Sequence, residues 1–166
     1  LFAHTSSIGV SMGQYEDVLK FLAECEEPTE SQMNTRTTLT TDAARKLEQA
    51  FPGLPRDYVD YLVEVGSGAF RECQYAVYDR FLDPSDIFDA ETAASFGKRI
   101  LCFGDNFSGD PAGFLPDDNW RVVELWHDSR DLHDPKQNFG EFIRGKILMD
   151  SDGNDLVKVD RNRSSK

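Results

Sequence analysis

Apolar residues first recur at helical spacing at Tyr15, Val18, Leu19 and Leu22, with Glu16, Asp17 and Lys20 between them. That spacing gives one buried and one wet face, so it predicts an amphipathic helix running to about Glu26, before Pro28. Residues 29–41 are rich in Ser and Thr without a period and read as a linker. Thr41 or Asp42 can cap a second helix, because a short side-chain oxygen accepts a free backbone N–H. Its apolar face is Ala43, Ala44, Leu47, Ala50 and Phe51, and Pro52-Gly53 ends it. Leu54-Pro55 restarts the chain as a third helix, where proline's missing N–H is no loss. Tyr58, Leu62 and Val65 share one face of it, with Val59 and Val63 beside them. Gly66-Ser67-Gly68 stops it, since glycine tolerates positive φ.

Beyond Gly68 the period becomes strand-like. Tyr75–Tyr78, with Phe81 and Leu82 following, predicts a strand. Residues 83–88 read as a turn into a short helix. Further strands are expected over Arg99–Phe103, bounded by Gly104-Asp105, over Gly113–Leu115, and over Trp120–Trp126. The last has Trp120, Val122, Glu124 and Trp126 on one face and Arg121, Val123 and Leu125 on the other. Apolar residues on both faces suit a central strand. Phe139, Phe142, Ile143 and Ile147 predict a closing helix over Asn138–Met149. The expected fold is α+β: a mainly antiparallel central sheet with N-terminal helices and a C-terminal helix packed around it. The chain divides into an N-terminal segment (1–41), a core (42–149) and a polar tail (150–166).

At 166 residues the chain is the size of one domain. Its net charge of −12 repels phosphate backbones and anionic lipid, so nucleic acid and membranes are not expected partners. No stretch approaches the roughly 20 apolar residues of a membrane span. The start of the chain lacks the basic and apolar run of a signal peptide. The three cysteines, Cys25, Cys73 and Cys102, are odd in number and form no C-x-x-C. That argues against a disulfide framework or a zinc site and for a reducing, cytoplasmic setting. Cys102 sits in an apolar run and is expected to be buried and inert.

Candidate chemistry is sparse. His127, Asp128, Asp131 and His133 offer two imidazoles and two carboxylates for a metal-dependent hydrolase, but their spacing fits no familiar ligand pattern. Asp150-Ser151-Asp152-Gly153-Asn154 begins like a calcium loop, then places Asp155 where glycine belongs and Arg161 where glutamate belongs. The chain has no G-x-S-x-G elbow, G-x-G-x-x-G or Walker loop. No cofactor is expected.

The remaining signal is charge. Residues 83–134 hold twelve acidic and four basic side chains, so they carry most of the excess. Many of the acids fall in turns, where they are expected to project from one side of the sheet, with Phe107, Phe114 and Trp120 among them. Aromatic anchors inside an acidic rim suit a docking surface for a basic protein. The residues expected to form it are Asp105, Phe107, Asp110, Asp117, Asp118, Trp120, Asp128, Asp131 and Asp134. The competing reading buries the aromatics in the core and leaves the acids in ordinary loops.

Four motifs follow one another in an order that resembles the SUKH superfamily, the SMI/KNR-type domains. Leu54-Pro55-x-Asp57-Tyr58-x-x-Tyr61-Leu62 leads into Gly66-Ser67-Gly68, where many members have Asn-Gly-Gly. Tyr78 to Phe88 resembles the family's strand and short helix. Phe103-Gly104-Asp105 through Glu124 resembles its central strand, Gly-Asp turn and next strands. Phe139-Gly140-Glu141-Phe142-Ile143 resembles its closing helix. The resemblance implies a non-enzymatic, protein-binding domain. Many bacterial members are immunity proteins that neutralise a cognate toxin, often a nuclease or deaminase, and fungal members are regulatory scaffolds. It implies fold-supporting roles only: Leu54, Tyr58 and Leu62 in the core and Gly66, Gly68 and Gly104 in turns, with Pro55, Phe139 and Phe142 completing the motifs. A basic toxin domain is the partner expected first, an endogenous protein the alternative.

Overall fold

The computed structural model describes residues 13–27 and 33–149. The calcium-loop look-alike, the polar tail and residues 28–32 of the Ser/Thr stretch lie outside them. Helix α1 covers Glu16–Cys25, strand β1 Arg36–Thr37, α2 Thr41–Ala50 and α3 Arg56–Glu64. Strands β2 (Ser67–Phe70) and β3 (Tyr75–Leu82) precede two short helices, α4 (Pro84–Ile87) and α5 (Ala90–Ser95). Then come β4 (Leu101–Asp105), β5 (Pro111–Leu115), β6 (Arg121–Trp126), β7 (Asp131–His133) and α6 (Phe139–Ile147). The seven strands lie in sequence order in one sheet, and every neighbouring pair is antiparallel. The fold is α+β, as the pattern predicts.

Alternation along the strands divides the apolar residues between the two faces of the sheet. Val77, Phe103, Phe114 and Val122 face α1, α3 and α6, meeting Tyr15, Val18, Leu22, Tyr58, Tyr61, Leu62, Phe139 and Phe142. Cys102, Leu115, Val123 and Leu125 face the other way, under Ile87, Phe88 and Phe96 of the α4–α5 region. The first layer is held by aromatic contacts: Tyr58 and Phe103 each meet Phe114 and Phe139 at centroid distances of 4.8–5.3 Å. Through Tyr15, Val18 and Leu22, helix α1 is part of this layer. Burial pushes the Cys102 thiol up to about 12, so it is inert at neutral pH.

Asp57 ties the N-termini of two helices together. Its carboxylate accepts the Tyr58 N–H at 2.9 Å and the Gly140 N–H of α6 at 2.8 Å, while its backbone carbonyl accepts the Tyr15 hydroxyl at 2.8 Å. A negative side chain at the start of α6 also suits the helix dipole. Tyr58, Leu62, Phe139 and Phe142 are buried, and Leu54 packs against them. Pro55 caps α3.

Several elements differ from expectation. Part of the Ser/Thr linker forms β1, an edge strand held by Arg36↔Gly68 and Thr37↔Ser67. Two residues carry too little pattern to announce a strand. The cap of α2 is Thr40, one residue early, its hydroxyl accepting from Ala43 N–H at 3.2 Å. Gly66, at φ +101°, ends α3 as expected, but Gly68 and Gly104 lie inside strands and not in turns. Both are needed for close approach: a Cβ on Gly68 would strike the Thr35 carbonyl, and one on Gly104 the Ala76 carbonyl. β6 is the sixth strand of seven, central only in having a neighbour on each side.

One hairpin fastens distant parts of the chain. Between β2 and β3, Arg71, Glu72 and Cys73 all adopt positive φ. Arg71 N–H donates to Glu26 at 2.9 Å, and its guanidinium reaches the Ile147 and Met149 carbonyls at 3.0 and 2.7 Å. No helix among the described residues is long and apolar enough to cross a membrane.

Candidate functional site

Antiparallel order sends alternate turns to opposite ends of the sheet. The β4–β5 turn (106–110) and the β6–β7 turn (127–130) lie side by side at one end. The β5–β6 turn (116–120) lies at the other, and the chain leaving β7 passes Asp134 there. The nine residues expected to form one surface are therefore divided. Asp105, Phe107, Asp110, Asp128 and Asp131 stand at the first end, Asp117, Asp118, Trp120 and Asp134 at the second.

The first end is built by local hydrogen bonding. Asp105 closes an Asx turn onto Phe107 N–H at 2.8 Å and accepts the Tyr78 hydroxyl at 2.7 Å. Asn106 accepts from Ser108 N–H at 2.9 Å. The chain between them passes through positive φ at Phe107 (+59°), which swings that side chain outward, 54% exposed. Asp110 reaches across to the neighbouring turn. Its Oδ1 accepts the His127 backbone N–H at 3.1 Å and lies 2.8 Å from His127 Nδ1. His127 Nε2 lies 3.0 Å from Asp128, so two carboxylates flank the imidazole. The hydrogen bond to Asp110 raises its pKa; partial desolvation opposes this, and the charge of Asp128 adds to it.

Trp126, the last residue of β6, completes this end. Its indole is 41% exposed, and one face stacks on the His133 ring at 4.4 Å and 14°. The two turns and their flanks hold Asp105, Asp110, Asp128 and Asp131 against a single arginine, Arg130, which is bound to Glu91 of α5 at 3.0 Å. The result is two exposed aromatics in a rim with excess negative charge.

The second end is neutralised within itself. Arg121 bonds Asp118 and Asp134, each at 2.6 Å, Lys136 meets Asp134 at 3.0 Å, and Arg99 lies 3.7 Å from Asp117. Arg121 first, then the Lys136 backbone and side chain, hold the Asp134 carboxyl well below the usual carboxylate range. Trp120 is half-buried and packs edge-on against Phe51 and Phe114 at 6.4 and 5.8 Å. Phe114 is fully buried. Of the three aromatics expected among the acids, then, Phe114 belongs to the core, Trp120 to its margin, and Phe107 to the open surface.

Other acids of the segment serve the backbone. Asp83 and Asp86 form a capping box on α4, and Asp89 caps α5 through Thr92 N–H at 2.8 Å. The four residues of the hydrolase reading do not converge on one point: His127 meets Asp128 but also Asp110, and His133 lies against Trp126. Among the described residues, no group of three or more His, Cys, Asp or Glu could hold a metal ion.

The sequence pattern puts Trp126 on a strand face without marking it as an anchor. The available signal was its position as the last residue of β6, next to His127-Asp128-Ser129. A large aromatic at a strand end, beyond the reach of covering helices, is a natural candidate for exposure. No family model, no curated protein and no solved structure matches the chain.

Proposed function

We propose that the protein is a non-enzymatic binding domain that docks a basic protein partner on the acidic end of its sheet. The observation that carries this reading is the contrast in charge. One end exposes Phe107 and Trp126 among four carboxylates opposed by one committed arginine, whereas the other end matches its carboxylates with cations. Exposed aromatics supply binding energy, and an acidic rim supplies steering and selection for positive charge. Opposite charge raises association to about 10⁸–10⁹ M⁻¹s⁻¹, against about 10⁵–10⁶ without it.

The SUKH-type motif order narrows the role. It favours an immunity protein acting in the cytoplasm, with the acidic end occupying the phosphate-binding groove of a basic, nuclease-like toxin. The buried Tyr58 and Leu62 of α3 are compatible with that motif order, which implies core roles for both. The scaffold alternative keeps the same surface and exchanges the toxin for an endogenous partner.

The test is capture of partners from the native source on the tagged full chain at low salt, identified by mass spectrometry, followed by co-expression with the captured protein. A basic partner whose toxicity is relieved by co-expression supports immunity. A basic partner without toxicity supports the scaffold. Recovery of only neutral or acidic proteins rejects the docking reading.

A further inference from the structure

We infer that Trp126 and Asp131 together form a seat for a guanidinium, so that an arginine is the anchoring side chain of the partner. The inference rests on the docking reading and specifies the chemistry of its centre.

Trp126 and Asp131 are cross-strand partners at the tip of the β6–β7 hairpin. Directly opposed residues of an antiparallel pair point to the same face, with Cβ atoms about 4.5–5.5 Å apart. His133, paired with Glu124 on that face, covers one side of the indole. The 41% exposure of Trp126 therefore belongs to its opposite side and edge. An indole face attracts a cation through its quadrupole, and arginine suits it better than lysine because a planar guanidinium lies flat on the ring. The same group can present its N–H edge to a carboxylate.

Asp131 is the carboxylate placed to receive it. Among the described residues its side chain makes no hydrogen bond or ion pair. The neighbouring cations are already committed: Arg130 to Glu91 at 3.0 Å, Lys146 to Glu124 at 2.8 Å and Lys136 to Asp134 at 3.0 Å. The seat is thus supplied by the molecule with a π-face and a negative charge, and the cation has to come from outside. Farther along the same face a depression of about 240 Å³ opens between β6 and α6, lined by Glu124, Pro135, Gln137, Phe142, Gly145 and Lys146. It gives room beside the seat for the residues flanking such an arginine.

The test uses the ¹⁵N-labelled full chain, in which the indole N–H groups of Trp120 and Trp126 give separate signals, assigned with Trp126→Phe. Tri-arginine amide and tri-lysine amide are titrated at low salt. The expected result is a saturable shift of the Trp126 signal with tri-arginine binding about threefold tighter than tri-lysine, the scale of one exposed cation–π contact. Asp131→Asn weakens tri-arginine about threefold, as loss of one exposed ion pair would, whereas Asp117→Asn leaves it within about 1.5-fold. Equal binding by wild type and Asp131→Asn, or no preference for arginine, overturns the seat. So does a Trp126 signal that moves on dilution without peptide, because the occupant is then a second copy of the chain. None of these results touches the docking reading, which fails separately if reversing the rim charges leaves association with a basic partner unchanged.

Discussion

The two ends of the sheet are built from the same kinds of residue and reach opposite electrostatic outcomes. At the β5–β6 end, Arg121 sits between Asp118 and Asp134, and a tryptophan is drawn onto Phe51 and Phe114. At the β4–β5 end, Asp105 and Asp110 spend their oxygens on turn N–H groups and on His127, which orders the backbone but cancels little charge. A carboxylate used as a turn anchor leaves its negative charge uncompensated; one paired with arginine has it balanced by its neighbour. Acidic composition therefore says little about where a field is felt, and the pairing of each acid says much more.

The comparison is broken most severely at its aromatics. Phe114→Ala removes a ring that meets Tyr58, Phe81, Phe103, Trp120 and Phe139, and is expected to cost about 3–5 kcal/mol in urea unfolding. Phe107→Ala should stay within about 0.5 kcal/mol of wild type, because that ring is outside the core. Similar losses in both variants would show that Phe107 is a packing residue.

The next effect is on association. Reversing Asp128 and Asp131 to Lys together is expected to slow capture of a basic partner by roughly tenfold at low salt, with the loss shrinking at high salt. The same reversal at Asp117 and Asp118 should change the rate by less than about twofold, since those carboxylates lie against Arg99 and Arg121. Stopped-flow mixing at two ionic strengths measures both, and equal slowing at the two ends would erase the difference between them.

The smallest effect is a pH dependence. The folded-state pKa of His127 is raised by Asp110 and Asp128, above an unfolded value of about 6.5. Its contribution to stability is therefore full below about 6.5 and fades as pH rises through the folded value. The melting temperature of His127→Ala should fall short of wild type most at low pH and converge with it as pH rises. A constant difference across that range would mean that the ring acts by packing alone.

Much of this was legible in the sequence, because long periodic segments announce themselves. The faces of α1, α3 and α6 and the mixed pattern of β6 are consequences of burial, which spacing records. The pairing of acids was not legible. Asp118 and Asp134 share Arg121 although sixteen residues separate them, and Asp110 meets His127 only because two turns lie side by side. Gly104 showed the same limit: the sequence marks a glycine, but only the approach of the Ala76 carbonyl explains why it stands within a strand. The short β1, β2 and β7 depend on neighbours for their existence, and no local pattern carries that information.

Arg71 has a mechanical consequence. Its backbone holds Glu26, just past α1, and its side chain holds the last carbonyls of α6, so both segments are latched to one hairpin. Tension applied to the chain beyond Met149 would load that guanidinium and the β2–β3 hairpin before it could peel α6 from the sheet. Under a pull from that side, the first contact to bear the load would be a single side chain.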